Sequence, residues 1–264
     1  MDELARVPRG IDSSKPSSAR VYDYLLGGKD NYAVDRMVAE RLLSVAPDTR
    51  SVVRANRAFL ARAIRLLSER GVSQFIDLGT GIPTSPSVHE VARETHPDAK
   101  VVYVDNDPLV KVHNDALLAT DDGVITLEAD IRRPDDIIGH PDVKDLIDFD
   151  RPVGVLLVAV LHFVSDEEGA YRIVSGLRDR VAPGSYFVLS HSSSESEPEV
   201  LAQLKASTAN SPAQSTFRDH AEILDFFEGL EIEEPGLVPV QRWRPAMDSI
   251  SSRLIVEGAV ARKP

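Results

Sequence analysis

Apolar positions over about the first 70 residues keep the three-to-four spacing of helices, and no stretch among them reads as a convincing strand. Ser14 can cap a short helix that opens at Lys15-Pro16 and stops at Gly27-Gly28, because Pro suits a first helical turn and Gly a left-handed stop. Val34, Val38, Leu42 and Val45 predict a second helix from about Ala33, ended by Pro47. Val52, Phe59, Leu60, Ala63 and Leu67 predict a third, from Thr49 or Ser51 to Arg70, before Gly71.

From Val72 the pattern changes to short apolar runs separated by helical stretches, the signature of repeated βα units and a mostly parallel sheet. Strands are expected at Gln74–Leu78, Val101–Val104, Val124–Glu128, Val153–Val160 and Tyr186–Ser190, with helices beginning near Ser87, Pro108, Pro134 and Asp166. The run from Val153 to Val160 does not alternate, as suits a central strand covered on both faces. Further helices are expected at Glu199 to Thr208 and Ala221 to Glu228. Two more strands follow, at about Leu230–Glu233 and Arg253–Ala259, with Trp243-Arg244-Pro245 between them. The chain therefore divides into a helical cap or lid, residues 1–71, and an α/β domain, residues 72–264.

Composition narrows the chemistry. The 264 residues include no Cys, which excludes disulfides, thiolate metal sites and Cys nucleophiles and suits a reducing compartment. Met1-Asp2-Glu3-Leu4 lacks the basic-then-apolar order of a signal peptide, and no apolar run can span a bilayer, so a cytoplasmic protein without membrane contact is expected. With 30 Lys+Arg against 42 Asp+Glu, the net charge of −12 disfavours nucleic acid as a partner. Arg50, Arg54, Arg57, Arg62, Arg65 and Arg70 lie close together on the third helix, where they read as a solvated face.

The candidate chemistry lies at the strand ends. Phe75-Ile76-Asp77-Leu78-Gly79-Thr80-Gly81 runs an apolar strand into an acid and two glycines before a helix, a nucleotide cradle or else a plain strand-to-helix turn. Val101-Val102-Tyr103-Val104-Asp105 ends the next strand with a carboxylate able to accept both hydroxyls of a ribose. Asp130, after the third strand, is placed to hold an adenine amino group. A dinucleotide fold wants a third glycine where this chain has Thr84, preceded by Pro83, which argues against a pyrophosphate and a nicotinamide cofactor. Asp105-Asn106-Asp107 and Asp121-Asp122 only superficially suggest metal ligands, and no metal is expected.

Asp77-x-Gly-x-Gly, Asp105, Asp130 and Val155-Leu156-Leu157-Val158-Ala159-Val160-Leu161-His162-Phe163 resemble motifs I to IV of class I S-adenosylmethionine-dependent methyltransferases, over about Val72 to Ala261. Ser17-Ser18-Ala19-Arg20-Val21-Tyr22-Asp23-Tyr24-Leu25-Leu26-Gly27-Gly28-Lys29-Asp30-Asn31-Tyr32 resembles the signature of a bacterial S-adenosyl methyltransferase family whose substrate is not established. Pro83 departs from the class pattern, which usually has a third glycine there. The resemblance implies a Rossmann-like, seven-stranded, mostly parallel sheet with an N-terminal helical lid, and S-adenosyl-L-methionine as cofactor. It implies cofactor contacts from Asp77, Gly79, Thr80, Gly81, Asp105, Asn106, Asp130, Ile131 and Ala159, with Tyr22 and Asn31 near the methionine end.

Methyl transfer from a sulfonium is an in-line displacement, so the enzyme's task is largely to hold acceptor and donor in line away from water. His162, where the acceptor pocket of such a fold opens, is the candidate proton acceptor, with His191 a weaker one and Trp243 a possible pocket wall. The expected function is methyl transfer to a small-molecule acceptor. Competing readings are a regulatory S-adenosylmethionine-binding protein, which would lack an acceptor-sized cavity, and a nicotinamide oxidoreductase, which Thr84 disfavours.

Overall fold

A computed structural model describes residues 14–209, 214–245 and 252–264; the N-terminal segment from Met1 lies outside them. Helices α1 (Ser18–Leu26), α2 (Ala33–Val45) and α3 (Thr49–Glu69) precede the first strand. Then come β1 (Gln74–Leu78), α4 (Val88–Arg93), β2 (Lys100–Asp105), α5 (Pro108–Leu117), β3 (Val124–Glu128), α6 (Pro134–Ile138), α7 (Pro141–Leu146) and β4 (Gly154–Val158). The chain continues through α8 (Ala170–Arg180), β5 (Tyr186–Ser192), α9 (Pro198–Thr208), α10 (His220–Leu224), β6 (Glu231–Ile232), β7 (Val238–Pro239) and β8 (Val256–Arg262).

The sheet order is β3-β2-β1-β4-β5-β8-β6. β1 to β5 are mutually parallel, and β8 joins antiparallel along β5, from Tyr186 opposite Arg262 to Ser192 opposite Val256. The order reverses between β1 and β4, which opens a crevice at the carboxyl ends of these strands.

Strand alternation sorts the core into two layers. Phe75, Leu156, Val188 and Val260 point to one face and pack with Phe59, Ala63 and Leu67 of α3. Ile76, Val155, Leu157 and Phe187 point to the other and pack with Ile173, Val174 and Leu177 of α8. Asp77 follows the alternation of Phe75, so its carboxyl is carried to the α3 side at the end of the strand. Helix starts are set by side chains: Asp107 accepts the Leu109 N–H at 2.9 Å at the head of α5, and the Glu90 carboxylate accepts the Ser87 N–H at 2.6 Å at the head of α4. Such caps contribute about 1 kcal/mol each.

The sequence pattern and the structure differ in several places. The sheet has eight strands rather than seven, because Val238–Pro239 adds a two-residue strand against Glu257 and Gly258; at Pro239, with no N–H to donate, it gives way to a 3-10 turn. The last strand is Val256–Arg262 rather than 253–259, since Arg253 is held aside by Glu197, Glu199 and the Val45 carbonyl. β4 stops at Val158 because Ala159 turns to φ 57°, outside the strand region. α8 begins at Ala170 and leaves Asp166 in the preceding turn. α1 begins at Ser18, and the 221–228 helix is α10 followed by a 3-10 turn at Asp225–Phe227.

Of the six arginines along and just after α3, Arg54, Arg65 and Arg70 are exposed as expected of a solvated face, whereas Arg50, Arg57 and Arg62 are half-buried. Arg62 donates to the Trp243 and Val240 carbonyls, both at 2.9 Å, Arg65 pairs with Glu94 at 2.8 Å, and Arg70 with Glu233 at 3.5 Å. Arg50 donates to the Tyr24 carbonyl at 3.1 Å, and Arg57 to the Thr84 carbonyl at 3.2 Å. These guanidinium groups fasten α3 to the segments around it. Trp243 is fully buried edge-on against Phe59, ring centroids 5.2 Å apart, where it packs in the core.

Candidate active site

A cavity of about 550 Å³ runs along the carboxyl ends of the strands, from Ala129 and Ile131 beyond β3 to Ser192 on β5 and Val256 on β8, roofed by α1, α2 and α3. Pockets of this size hold small organic ligands. Asp77, Gly79, Thr80, Gly81, Asp105, Asn106, Ile131, Ala159, Tyr22 and His162 all line it.

The glycine loop forms because its two glycines take left-handed conformations, φ 76° at Gly79 and 68° at Gly81. A Cβ on Gly79 would lie 2.4 Å from the Val160 side chain, whereas one on Gly81 would meet nothing within 4 Å. The Gly81 N–H donates to Asp105 Oδ2 at 2.9 Å, and the Asp107 N–H to Asp105 Oδ1 at 3.0 Å. The acid at the end of β2 is thereby oriented by the loop it faces. Burial pushes the Asp105 carboxyl up to about 6, against the lowering effect of these N–H donors. Asp77 is pushed up to about 7 by burial, partly offset by the Arg57 guanidinium.

A second set of bonds holds the floor of the crevice. Ala159 takes an unfavourable left-handed φ, and its N–H donates to Ser190 Oγ at 3.0 Å. The Ser190 hydroxyl donates to Asn56 Oδ1 at 2.7 Å; Asn56 Nδ2 donates to the Tyr22 hydroxyl at 3.0 Å, which donates to the Val53 carbonyl at 3.1 Å. Four elements, β4, β5, α3 and α1, are joined at the cavity wall. Tyr24, on the other side of α1, does not line the cavity; its hydroxyl bonds to Glu40.

His162 lies in the 3-10 turn after β4, 7% exposed, and its Nδ1 has no hydrogen-bond partner. Burial, the neighbouring His191 and Arg218 hold its pKa well below the usual imidazole range. His191 lies behind it, ring centroids 5.5 Å apart. Arg218 donates to His191 Nε2 at 2.7 Å, so the His191 proton is on Nδ1, which donates to the Ser192 carbonyl at 2.9 Å. The same fully buried guanidinium donates to the Leu161 carbonyl at 3.3 Å, the Val164 carbonyl at 2.9 Å and Asp166 at 2.6 Å. It thus clamps the turn that carries His162 and anchors the segment that brings Ser215 and Phe217 to the wall.

Asn31 and Asp130 do not line the cavity. Asn31 Nδ2 donates to Asp23 Oδ2 at 2.8 Å and to the Gly28 carbonyl at 3.1 Å, a brace for the turn after α1. Asp130 accepts from the Arg132 N–H at 2.9 Å and pairs with its guanidinium, and it is Arg132 that reaches the wall. Sequence reasoning missed Asn56, Arg57, Arg132, Phe217 and Arg218 as site residues. Asn56 left a signal, a polar residue among the apolar positions Val52, Phe59 and Leu60 of one helix face; Arg218 lies outside any periodic element and left none. Among the described residues no group of three or more His, Cys, Asp or Glu side chains converges as a metal site. Asp107 is instead a helix cap, and Asp121 pairs with Arg93 at 2.6 Å.

Sheet order, glycine loop and acid-terminated second strand together define a class I S-adenosylmethionine-dependent methyltransferase. The model of the S-adenosyl methyltransferase family matches residues 5–264, and the chain belongs to that family. Among solved structures, a DUF574 family protein from Streptomyces avermitilis MA-4680 is 40% identical with a TM-score of 0.91, over 96% of this chain and 99% of its own. A candidate methyltransferase from Thermobifida fusca YX is also 40% identical, TM-score 0.91, over 98% of both chains. The N-methyltransferase NodS from Bradyrhizobium japonicum WM9, in complex with S-adenosyl-L-homocysteine, shares the fold at 13% identity and a TM-score of 0.51, over 93% of this chain and 99% of its own. No curated protein matches the chain.

S-adenosyl-L-methionine is the cofactor, and the residues fit it. The loop opens on free space at Gly81, and the Asp105 carboxylate stands where a ribose would lie at a switch point. Among the described residues no helix is long and apolar enough to cross a membrane.

Proposed function

We propose that the protein moves the methyl group of S-adenosylmethionine to a small-molecule acceptor held at the carboxyl ends of β4 and β5. One observation carries this reading: the cavity continues from the glycine loop past Ala159 and His162 to Ser192, Leu204 and Val256, leaving room for a second molecule beside the first. A regulatory protein needs no such extension.

When bound, S-adenosylmethionine supplies a methyl carbon already activated by a positive sulfur. Asp105 would accept hydrogen bonds from its ribose, Gly79 and Gly81 would let it approach the backbone, and Ile131 and Ala129, which line the cavity beyond β3, would offer an apolar wall to its base. Tyr22, fixed between Asn56 and Val53, and Ala159, fixed by Ser190, line the cavity as preset parts of its wall. The cap excludes water and holds the acceptor in an attack geometry. His162, uncharged at neutral pH, accepts the proton the acceptor loses. The cysteine-free composition and the bacterial origin of both 40%-identical relatives support a bacterial cytoplasm as its setting.

The test is calorimetric titration of the purified protein with S-adenosylhomocysteine beside NADH. Near-stoichiometric binding of the former alone is the expected result; preference for NADH would overturn the assignment.

A further inference from the structure

We infer that the acceptor is a neutral, largely hydrocarbon molecule bearing the reacting hydroxyl on an aromatic ring, received by His162. This deepens the proposed function and rests on it. The acceptor half is located by topology: the cofactor edge spans β1 to β3, so the remaining crevice lies at β4, β5 and β8. From Val158 to Val256, no described side chain of the cavity wall carries a charge. Val38 and Leu42 of α2, Leu204 of α9, Phe217 and Val256 supply hydrocarbon surface there.

Such a wall selects by charge. An alkylammonium or a carboxylate entering it would lose its hydration without a free partner of opposite sign, since Arg132, the guanidinium that reaches this wall beside the Phe163 carbonyl, is already paired with Asp130 and Glu168. The carboxylates that do reach the cavity lie elsewhere: Asp105 at the end of β2 and Asp107 at the head of α5 belong to the cofactor edge, and Asp23, in α1, is bonded to Asn31 and Asp30. Asp77, next to last in β1, lies on the cofactor edge under the influence of Arg57. An apolar ring loses little on entry and gains from contact with Phe163 and Phe217, which line the wall.

A polar feature of this wall is the His162 imidazole, more than nine-tenths buried: Nδ1 is sealed off without a partner, so the ring nitrogen left accessible to an acceptor is Nε2, which makes no hydrogen bond. A hydroxyl satisfies it as a donor. In the transfer, the hydroxyl oxygen forms a bond to the methyl carbon, the carbon–sulfur pair stays on sulfur, and the hydroxyl proton passes to His162. Arg218, held against His191 behind it, disfavours a lasting imidazolium, so the proton goes on to solvent.

Three naphthalene probes test this on the full chain loaded with S-adenosylhomocysteine: 2-naphthol, 2-naphthylmethylamine and 2-naphthoate, read by proton NMR line broadening and calorimetry. Binding of 2-naphthol about tenfold or more tighter than either charged probe is expected, that factor being ~1.4 kcal/mol. Equal or better binding of a charged probe, or no binding of 2-naphthol, overturns the inference. With labelled S-adenosylmethionine, His162→Gln should lower methylation of 2-naphthol roughly 100-fold or more while its affinity changes little. Retained transfer overturns the role of His162. S-adenosylhomocysteine binding by each protein confirms its fold, and loss of that binding in the unaltered chain would strike the proposed function rather than the acceptor class.

Discussion

Ser190 and Asn56, 134 positions apart in sequence, meet through a 2.7 Å hydrogen bond at the base of the cavity. The bond couples the helical cap to the catalytic edge of the sheet, because Ser190 also holds the strained Ala159 and Asn56 also holds Tyr22. Removing Asn56 therefore disturbs folding and site together. Asn56→Ala should lose about 1–3 kcal/mol of stability, as buried partners are left unpaired. Urea unfolding measures the loss, and S-adenosylhomocysteine titration should show weaker binding.

Asp105 is oriented by two backbone N–H groups before any ligand arrives. Asp105→Ala should weaken S-adenosylhomocysteine binding by roughly 1.5–3 kcal/mol, the worth of hydrogen bonds to a charged acceptor. Calorimetry reads it directly; unchanged affinity would remove Asp105 from the ribose site.

The two loop glycines separate strain from obstruction. Gly79→Ala drives a methyl into Val160 as well as straining φ, and should destabilise the free protein the more of the two. Gly81→Ala meets open space, so its cost to the free protein should be limited to about 1–2 kcal/mol of backbone strain. Its loss of cofactor affinity should exceed that of stability. Thermal unfolding with and without S-adenosylhomocysteine distinguishes the two.

Asp77 makes the free protein pH-sensitive. Its folded pKa, raised to about 7, exceeds the ordinary carboxylate value of 3.8, so the folded state holds more protons between these limits. The stabilisation from this group is complete below the unfolded value and is lost as pH rises through about 7. Its share of the slope approaches ~1.4 kcal/mol per pH unit. Asp77→Asn should flatten the stability profile from pH 4 to 7 in denaturant titrations; an unchanged profile would assign the slope elsewhere.

Much of the frame was legible in the sequence for a plain reason. Short β-branched and apolar runs bounded by turn residues mark strands, and a turn with positive φ favours glycine, so the bounds of β1 and β3 and the loop at Gly79 and Gly81 are legible in the sequence. The acid after β2 was evident because the chain must expose something polar where the strand leaves the core. Short edge strands such as Val238–Pro239 leave no such pattern, since two residues cannot show a period.

What the tertiary structure decided is which polar side chains converge. Asn31 and Asp130 sit next to site residues in sequence, yet their hydrogen bonds turn them to Asp23 and Arg132. Arg57 and Arg218, remote in sequence from the glycine loop and from His162, reach them through helix docking and a loop crossing. Local pattern encodes which face of each element is buried, a property of neighbouring residues. Long-range convergence depends on how elements dock, and the residues that meet there carry no shared period along the chain.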